Sequence, residues 1–104
     1  MAKKTHHKIV DESYAIPVAR GGGLVKSEVW VDRQGVVVRY SLAYINPARF
    51  PGDNGRVLGY DNAHACHHKH DHGAVVAVDD FTSYEDLVER FARELRGLLD
   101  DHED

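Results

Sequence analysis

The sequence predicts an α+β fold: a four- to five-stranded antiparallel sheet with a C-terminal amphipathic helix packed on one face. Two observations carry this prediction. Strand-like segments follow one another at short spacing between residues 24 and 78, and apolar residues recur every three or four positions near the C-terminus. Short connections favour antiparallel pairing, because parallel strands need a long crossover. The 104 residues are expected to form a single domain, 1–104, with an ordered core over roughly 8–100.

The strands are predicted from alternation with a period of two and from the turn residues between them. In chain order they are 24–31, 36–45, 56–62 and 74–78, with 8–16 left open between strand and coil. Residues 32–35 have the composition of a turn, and Gly35 stands where a positive φ is expected. Within 36–45, alternation places Tyr40 on one face and Arg39 on the other.

One helix is predicted at the C-terminal end. Thr82, with Glu85 three residues later, fits a capping box. The following apolar residues, from Leu87 to Leu99, form a single stripe at helical spacing. Because the sheet is the large apolar surface that the chain offers, we expect the helix to pack against it.

Composition places the chain among ordinary globular proteins. The formal net charge of −4 argues against a broad, non-specific nucleic-acid binder. No apolar run approaches the ~20 residues that a membrane span needs, so no membrane partner is expected. A single cysteine, Cys66, cannot form an internal disulfide, which makes the cytoplasm the expected compartment.

The net charge is unevenly distributed. Residues 84–104 hold eight acidic and three basic residues, a balance of −5, whereas residues 1–83 hold ten basic and nine acidic residues, a balance of +1. Protonation of a few histidines would make residues 1–83 clearly cationic, so a local phosphate site is allowed. The acidic helix is either a solvated outer face or a surface that docks a basic partner.

Histidine is concentrated in one segment. Five of the eight histidines lie between His64 and His72, directly after a predicted strand. Residues 59–72 contain few core-forming side chains and many titratable ones. Three interpretations of this segment remain open: a metal site, an acid–base site, and a solvated hairpin in which Asp61 and Asn62 cap local backbone.

The metal interpretation rests on the histidine spacing. Imidazoles recur two and four residues apart, at His64, His68, His70 and His72. In an extended segment the last three share a face. Neutral imidazoles, with Asp61 or Cys66 as a further ligand, suit zinc or nickel. The sequence has neither a CxxC pair nor an HExxH motif.

The acid–base interpretation is cleavage of RNA without a metal. That reaction needs a base for the 2′-hydroxyl, an acid for the leaving oxygen and a cation for the charge of the transition state. Histidine suits the first two roles, and Lys69 or Arg39 suits the third. Asp61 would orient an imidazole. Because Tyr60 and Asp61 alternate across the sheet, one of the two faces the histidines.

Residues 56–64, followed by 67–70, resemble the toxin component of TumE-type bacterial toxin–antitoxin systems. Members of that family carry Tyr-Asp-Asn at a strand end, then a short variable stretch and His-x-His. Here the two motifs are Tyr60-Asp61-Asn62 and His68-Lys69-His70. The resemblance extends over roughly residues 24–99.

The flanking segments agree with the resemblance and also depart from it. An Arg-Tyr strand precedes the motif, with Arg39, and a helix start with an aromatic residue and Ser follows it, at 81–87. The loop at 46–55 is longer than the tight turn of the family. His67 and His72 add imidazoles beyond the core motif.

The resemblance implies a small growth-inhibiting toxin that cuts RNA and is neutralised by a cognate helix-turn-helix antitoxin. The leading hypothesis is a metal-independent ribonuclease without a cofactor, and its site residues are His68, His70, Asp61, Arg39, Tyr60 and Lys69. In it, His68 and His70 share the acid and base roles, and Asp61 orients one of them. Arg39 and Lys69 hold the phosphate. The alternative is a non-catalytic module that binds a metal, zinc or nickel, or a protein through the His-rich hairpin, and a homodimer is left open.

Overall fold

The computed structural model describes residues 6–102, without the side chains of His64, Asp101 and His102. The strands are β1 (His7–Ala15), β2 (Leu24–Val31), β3 (Val37–Ile45), β4 (Arg56–Asp61), β5 (His68–Asp71) and β6 (Ala74–Ala77), followed by helix α1 (Tyr84–His102). They form one sheet in chain order, each strand antiparallel to the next. The predicted α+β class, with an antiparallel sheet and a C-terminal helix packed against it, is confirmed.

The sheet has six strands, which corrects the expected four or five. The ambiguous segment 8–16 lies within β1, which pairs with β2 along its length. No strand was predicted at 68–71, but β5 forms there. Histidine, lysine and aspartate are not typical strand formers. They are held in a strand because β4 and β6 pair with β5 on both sides.

The two faces of the sheet differ in character. The helix face packs against α1 through a core that contains Val29, Tyr40, Leu42, Tyr44, Leu58, Tyr60, Leu87 and Phe91. The opposite face, called the open face below, carries mainly polar side chains over β2–β5, among them Lys26, Glu28, Arg39, Ser41, Asp61, His68 and His70. Alternation with a period of two separates the apolar from the polar set.

Helix α1 begins one residue later than the predicted cap implies. The backbone N–H of Asp86 donates to Ser83 Oγ at 3.1 Å, so Ser83 is the capping residue and not Thr82. The Thr82 hydroxyl instead donates to the Asp86 carboxylate at 2.6 Å. The apolar stripe faces the sheet as predicted, with Leu87 and Phe91 buried. Within residues 6–102, no helix is both long enough and apolar enough to cross a membrane.

One polar cluster fastens the helix to the sheet. The Tyr60 hydroxyl, on a side chain that is 1% exposed, donates to Glu94 Oε1 at 2.7 Å. Lys69 Nζ donates to the other oxygen of the same carboxylate at 3.1 Å. Burial and the Glu94 carboxylate raise the pKa of Tyr60 well above its ordinary value, so the hydroxyl remains a donor. Glu94 therefore joins β4, β5 and α1.

His67 fixes the start of β5 on the helix face. Its Nδ1 lies 2.8 Å from the Tyr40 hydroxyl, and its ring stacks on Phe81 with the ring centres 3.6 Å apart. Burial lowers the pKa of His67, and burial together with Asp61 raises the pKa of Tyr40 to about 12. A neutral His67 imidazole therefore accepts a hydrogen bond at Nδ1 from the Tyr40 hydroxyl, which keeps its proton. With His67 anchored on this face, the next residue, His68, points to the open face.

Replacing Glu94 by Ala is expected to lower the free energy of unfolding by about 1–3 kcal/mol, because the buried Tyr60 hydroxyl loses its acceptor. Urea unfolding measures the change. Glu89→Ala removes an exposed carboxylate from the same helix and is the control. Adding Tyr60→Phe to Glu94→Ala should recover part of the loss. Equal unfolding free energies for the two Glu→Ala variants would contradict the role of Glu94.

Candidate functional site

Four polar side chains meet on the open face where β4 ends and β5 begins. Asp61 and Arg56 come from β4, and His68 and His70 come from β5. The register of the two strands pairs Asp61 with His68 and Gly59 with His70. Directly paired residues point to the same face of an antiparallel sheet. These four residues are called the Asp61 cluster below.

The Asp61 carboxylate is held through both of its oxygens. Oδ2 lies 2.8 Å from His70 Nε2 and 3.8 Å from an Arg56 guanidinium nitrogen. Oδ1 accepts the backbone N–H of Ala63 at 3.1 Å and lies 3.8 Å from His68 Nδ1. Because a carboxylate accepts hydrogen bonds, His70 Nε2 carries the proton that it shares with Asp61. The side chain of Asp61 is 17% exposed, so its orientation is fixed near the surface.

The two imidazoles of the cluster differ in access to solvent. His70 is 13% exposed, and its Nδ1 is buried without a hydrogen-bond partner. His68 is 27% exposed and turns Nδ1 toward Asp61. Among the described residues, His68 Nε2 has no hydrogen-bond partner, and it is not a buried atom. His68 is therefore the more solvent-accessible imidazole of the two, whereas His70 braces the carboxylate.

Arg56 lies flat across the sheet because Gly59 has no side chain. A Cβ at Gly59 would stand 2.8 Å from Arg56 Cδ, closer than two carbon atoms approach. Arg56 also binds both oxygens of Asp53, with Nε at 2.9 Å and a terminal nitrogen at 3.1 Å. This hydrogen bonding lowers the pKa of Asp53, so the pair stays charged at neutral pH. The guanidinium is thereby held beside Asp61.

Arg56 was not among the site residues predicted from the sequence. Arg56 and Asp61 are five residues apart, and strict alternation places them on opposite faces. The register between β3 and β4 shifts between Tyr44 and Ile45, so that Arg56 pairs with Ile45 on the open face. A bulge of this kind re-aims a side chain. The signal in the sequence was Gly59, because a glycine inside a strand marks a bulge or a close approach.

Asn62, the last residue of the Tyr-Asp-Asn motif, has a structural role. Its Oδ1 accepts the backbone N–H of Tyr40, and its Nδ2 donates to the carbonyl of Val38, both at 3.0 Å. The side chain thus continues the pairing of β4 with β3 past the end of β4. The three motif residues point in three directions: Tyr60 to the helix, Asp61 to the open face and Asn62 along the edge of β3.

The Asp61 cluster borders further polar groups on the open face. Ser41 pairs directly with Asp61, and Arg39 is the next residue along β3 on that face. Arg39 lies over the Trp30 ring at 4.7 Å. A cleft of about 230 Å³ adjoins the cluster, and its polar walls are Lys26, Glu28, Ser41, Asp53, Asn54 and Arg56. Within residues 6–102, the ion pairs leave Arg39 and Lys26 without a carboxylate partner.

Two predicted site residues lie on the other face. Tyr60 and Lys69 point to α1 and share Glu94. Alternation along β5 separates Lys69 from both His68 and His70. The structure therefore does not bring Lys69 and Tyr60 beside the imidazoles. On the open face, where the imidazoles lie, it places Arg39 and Arg56 instead.

The predicted metal ligands are not all brought together. His72 has a φ of 48°, which takes it out of the alternation, and its Nδ1 lies 2.6 Å from Asp71. The side chain of His64 lies outside the described residues, and Cys66 is exposed. Among the described residues, no three His, Cys, Asp or Glu side chains are arranged to hold a metal ion.

A comparison with family models matches residues 3–99 to the family described as Toxin TumE. The match contains all six strands, most of α1 and every residue of the Asp61 cluster. The comparisons with curated proteins and with solved structures gave no match. The chain therefore belongs to the TumE toxin family, which indicates a toxin of a toxin–antitoxin system.

Proposed function

We propose that this toxin is a metal-independent ribonuclease whose active site is the Asp61 cluster. The observation that carries the proposal is the part-exposed imidazole of His68, whose Nε2 is not buried and whose Nδ1 lies 3.8 Å from a fixed carboxylate. A carboxylate that orients a histidine is a recurring way to prepare a general base. Two arginines and a polar cleft lie on the same face and provide a place for a phosphate chain.

The reaction is a transfer within the RNA backbone. His68 Nε2 accepts the proton of a ribose 2′-hydroxyl, and the 2′-oxygen attacks the adjacent phosphorus. The bond to the 5′-oxygen of the next nucleotide breaks, and that oxygen takes a proton from water on the exposed face. The hydroxide left behind takes the proton that His68 accepted, which restores the neutral imidazole. The products are a 2′,3′-cyclic phosphate and a 5′-hydroxyl. General-base catalysis of this type contributes roughly 10²–10⁴-fold to a rate.

The remaining groups position His68 and neutralise the charge of the phosphate. The Asp61 carboxylate lies 3.8 Å from His68 Nδ1 and favours the tautomer that carries its proton on Nδ1, which leaves Nε2 as the basic nitrogen. His70 fixes Asp61 through its 2.8 Å hydrogen bond and acts as a positioning residue. Arg56 and Arg39 hold the phosphate, because guanidinium groups match its geometry. The acid–base pair expected from the sequence thus becomes one proton-exchanging histidine and one supporting histidine.

As a ribonuclease, this protein would inhibit growth by destroying RNA, and its antitoxin would be the cognate helix-turn-helix protein expected from the sequence. The family supports the existence of an antitoxin. The Asp61 cluster supports the chemistry, because its groups are those that a phosphodiester requires. Growth inhibition and RNA cleavage should therefore depend on the same side chains.

His68→Ala is expected to reduce RNA cleavage by roughly 100-fold or more, because the base is lost. The assay follows a fluorescent RNA oligonucleotide in the presence of EDTA. His72→Ala is the matched control and should cleave like the wild type, since His72 lies outside the cluster. Products should accept a 5′-phosphate from a kinase without prior phosphatase treatment. Unchanged cleavage by His68→Ala, or loss of wild-type cleavage in EDTA, would contradict the mechanism.

Gly59→Ala is expected to lower RNA cleavage by about tenfold, because the new methyl group displaces the Arg56 side chain from the cluster. Gly97→Ala is the control: it adds the same methyl group in α1, where no atom lies within 4 Å. It should keep activity and stabilise the helix by roughly 1 kcal/mol. Circular dichroism checks that both variants fold. Equal activity of the two folded variants would show that the placement of Arg56 is unimportant.

A further inference from the structure

Helix α1 leaves a groove along one of its sides. The helix packs mainly on β3 and β4, the middle of the sheet, and every residue of β1 except Val10 is exposed. Two cavities of about 500 and 460 Å³ line this side, and they meet at Tyr84 and Glu85. The two together are called the α1 groove below. The groove lies on the helix face and is therefore separate from the Asp61 cluster.

The α1 groove combines an apolar floor with an acidic rim. The floor contains Val10, Val36, Val37, Tyr40, Leu42 and Val88. Three exposed carboxylates form the rim: Glu12 on the β1 side, and Glu85 and Glu89 on the helix side. Both Glu12 and Glu85 act on Tyr84 and help to raise the pKa of its hydroxyl, after the larger effect of burial. Carboxylates therefore stand on both sides of the groove.

The acidic rim is not explained by the stability of the fold alone. A carboxylate in the first turn of a helix, such as Glu85, interacts favourably with the helix dipole. Glu12 and Glu89 lie outside that turn. Among the described residues, none of the three forms an ion pair, so their charges are not neutralised within the chain.

We propose that the α1 groove binds a basic amphipathic segment of a partner protein. Apolar side chains of the segment would fill the floor, and its lysines or arginines would meet the rim, as complementary charges select a partner. An RNA strand or an anionic membrane would be repelled by the same carboxylates. The antitoxin that the family implies is the protein in which such a segment is to be sought.

The probe is a synthetic helical peptide of about five turns, roughly 18 residues. It carries leucines at helical spacing on one face and lysines elsewhere, with a fluorescent label. Two matched peptides replace the lysines by glutamates or the leucines by serines. Fluorescence anisotropy with the full chain should show binding of the basic amphipathic peptide and no binding of the other two.

The Glu12→Lys/Glu89→Lys variant is expected to weaken binding by about tenfold or more, because the rim becomes repulsive. The control, Asp79→Lys/Asp100→Lys, changes the net charge equally at exposed positions outside the groove. It should change the affinity by less than about threefold. Circular dichroism establishes that both variants fold.

Three results would overturn the proposal: no binding of the basic amphipathic peptide, equal weakening by the two double variants, or equal binding of the glutamate peptide. An RNA oligonucleotide that binds the wild type but not the Glu12→Lys/Glu89→Lys variant would also overturn the proposal. Both double variants should cleave RNA like the wild type if the ribonuclease proposal holds. The two proposals can therefore fail independently.

Discussion

The register between β4 and β5 is the constraint on which both faces of this protein depend. It pairs Asp61 with His68 on the open face and Tyr60 with Lys69 on the helix face. A shift of one residue would turn every side chain of β5 to the opposite face. The Asp61 carboxylate would lose its imidazoles, and Glu94 would lose its lysine. Stacking of His67 on Phe81 fixes the start of β5 on the helix face. The ion pair of Arg56 with Asp53 fixes the start of β4 on the open face.

The sequence predicted the parts of the fold that follow from repeated patterns. The α+β class, strands β2–β4 and the C-terminal helix follow from apolar periodicity, which many residues support at once. Strand β5 was not predicted, because its residues alternate between histidine on one face and charged side chains on the other. This pattern lacks the apolar face by which a strand is recognised in a sequence. Such a strand is stabilised by its neighbours and not by its own residues. The helix cap is Ser83 and not the predicted Thr82, because the sequence alone does not distinguish two adjacent hydroxyl residues as caps.

The candidate site shows where sequence reasoning ends. Asp61, His68, His70 and Arg39 share a face, as simple alternation permits. Arg56 was missed because a bulge changes its face, and bulge positions depend on the partner strand. Lys69 was placed with the imidazoles because it stands between them in the chain, although a neighbour in a strand points the other way. The solvent exposure of His68 and the burial of His70 depend on tertiary packing, which the spacing of residues in the sequence does not predict.

In the proposed mechanism, Asp61 and His68 act as one unit in RNA cleavage. A double-mutant cycle with Asp61→Asn and His68→Ala measures this coupling directly, because residues that act together lose activity non-additively. The double variant is expected to cleave RNA no more slowly than His68→Ala alone. If the separate losses of the two single variants multiply in the double variant, Asp61 does not act through His68, and the proposed active site is wrong.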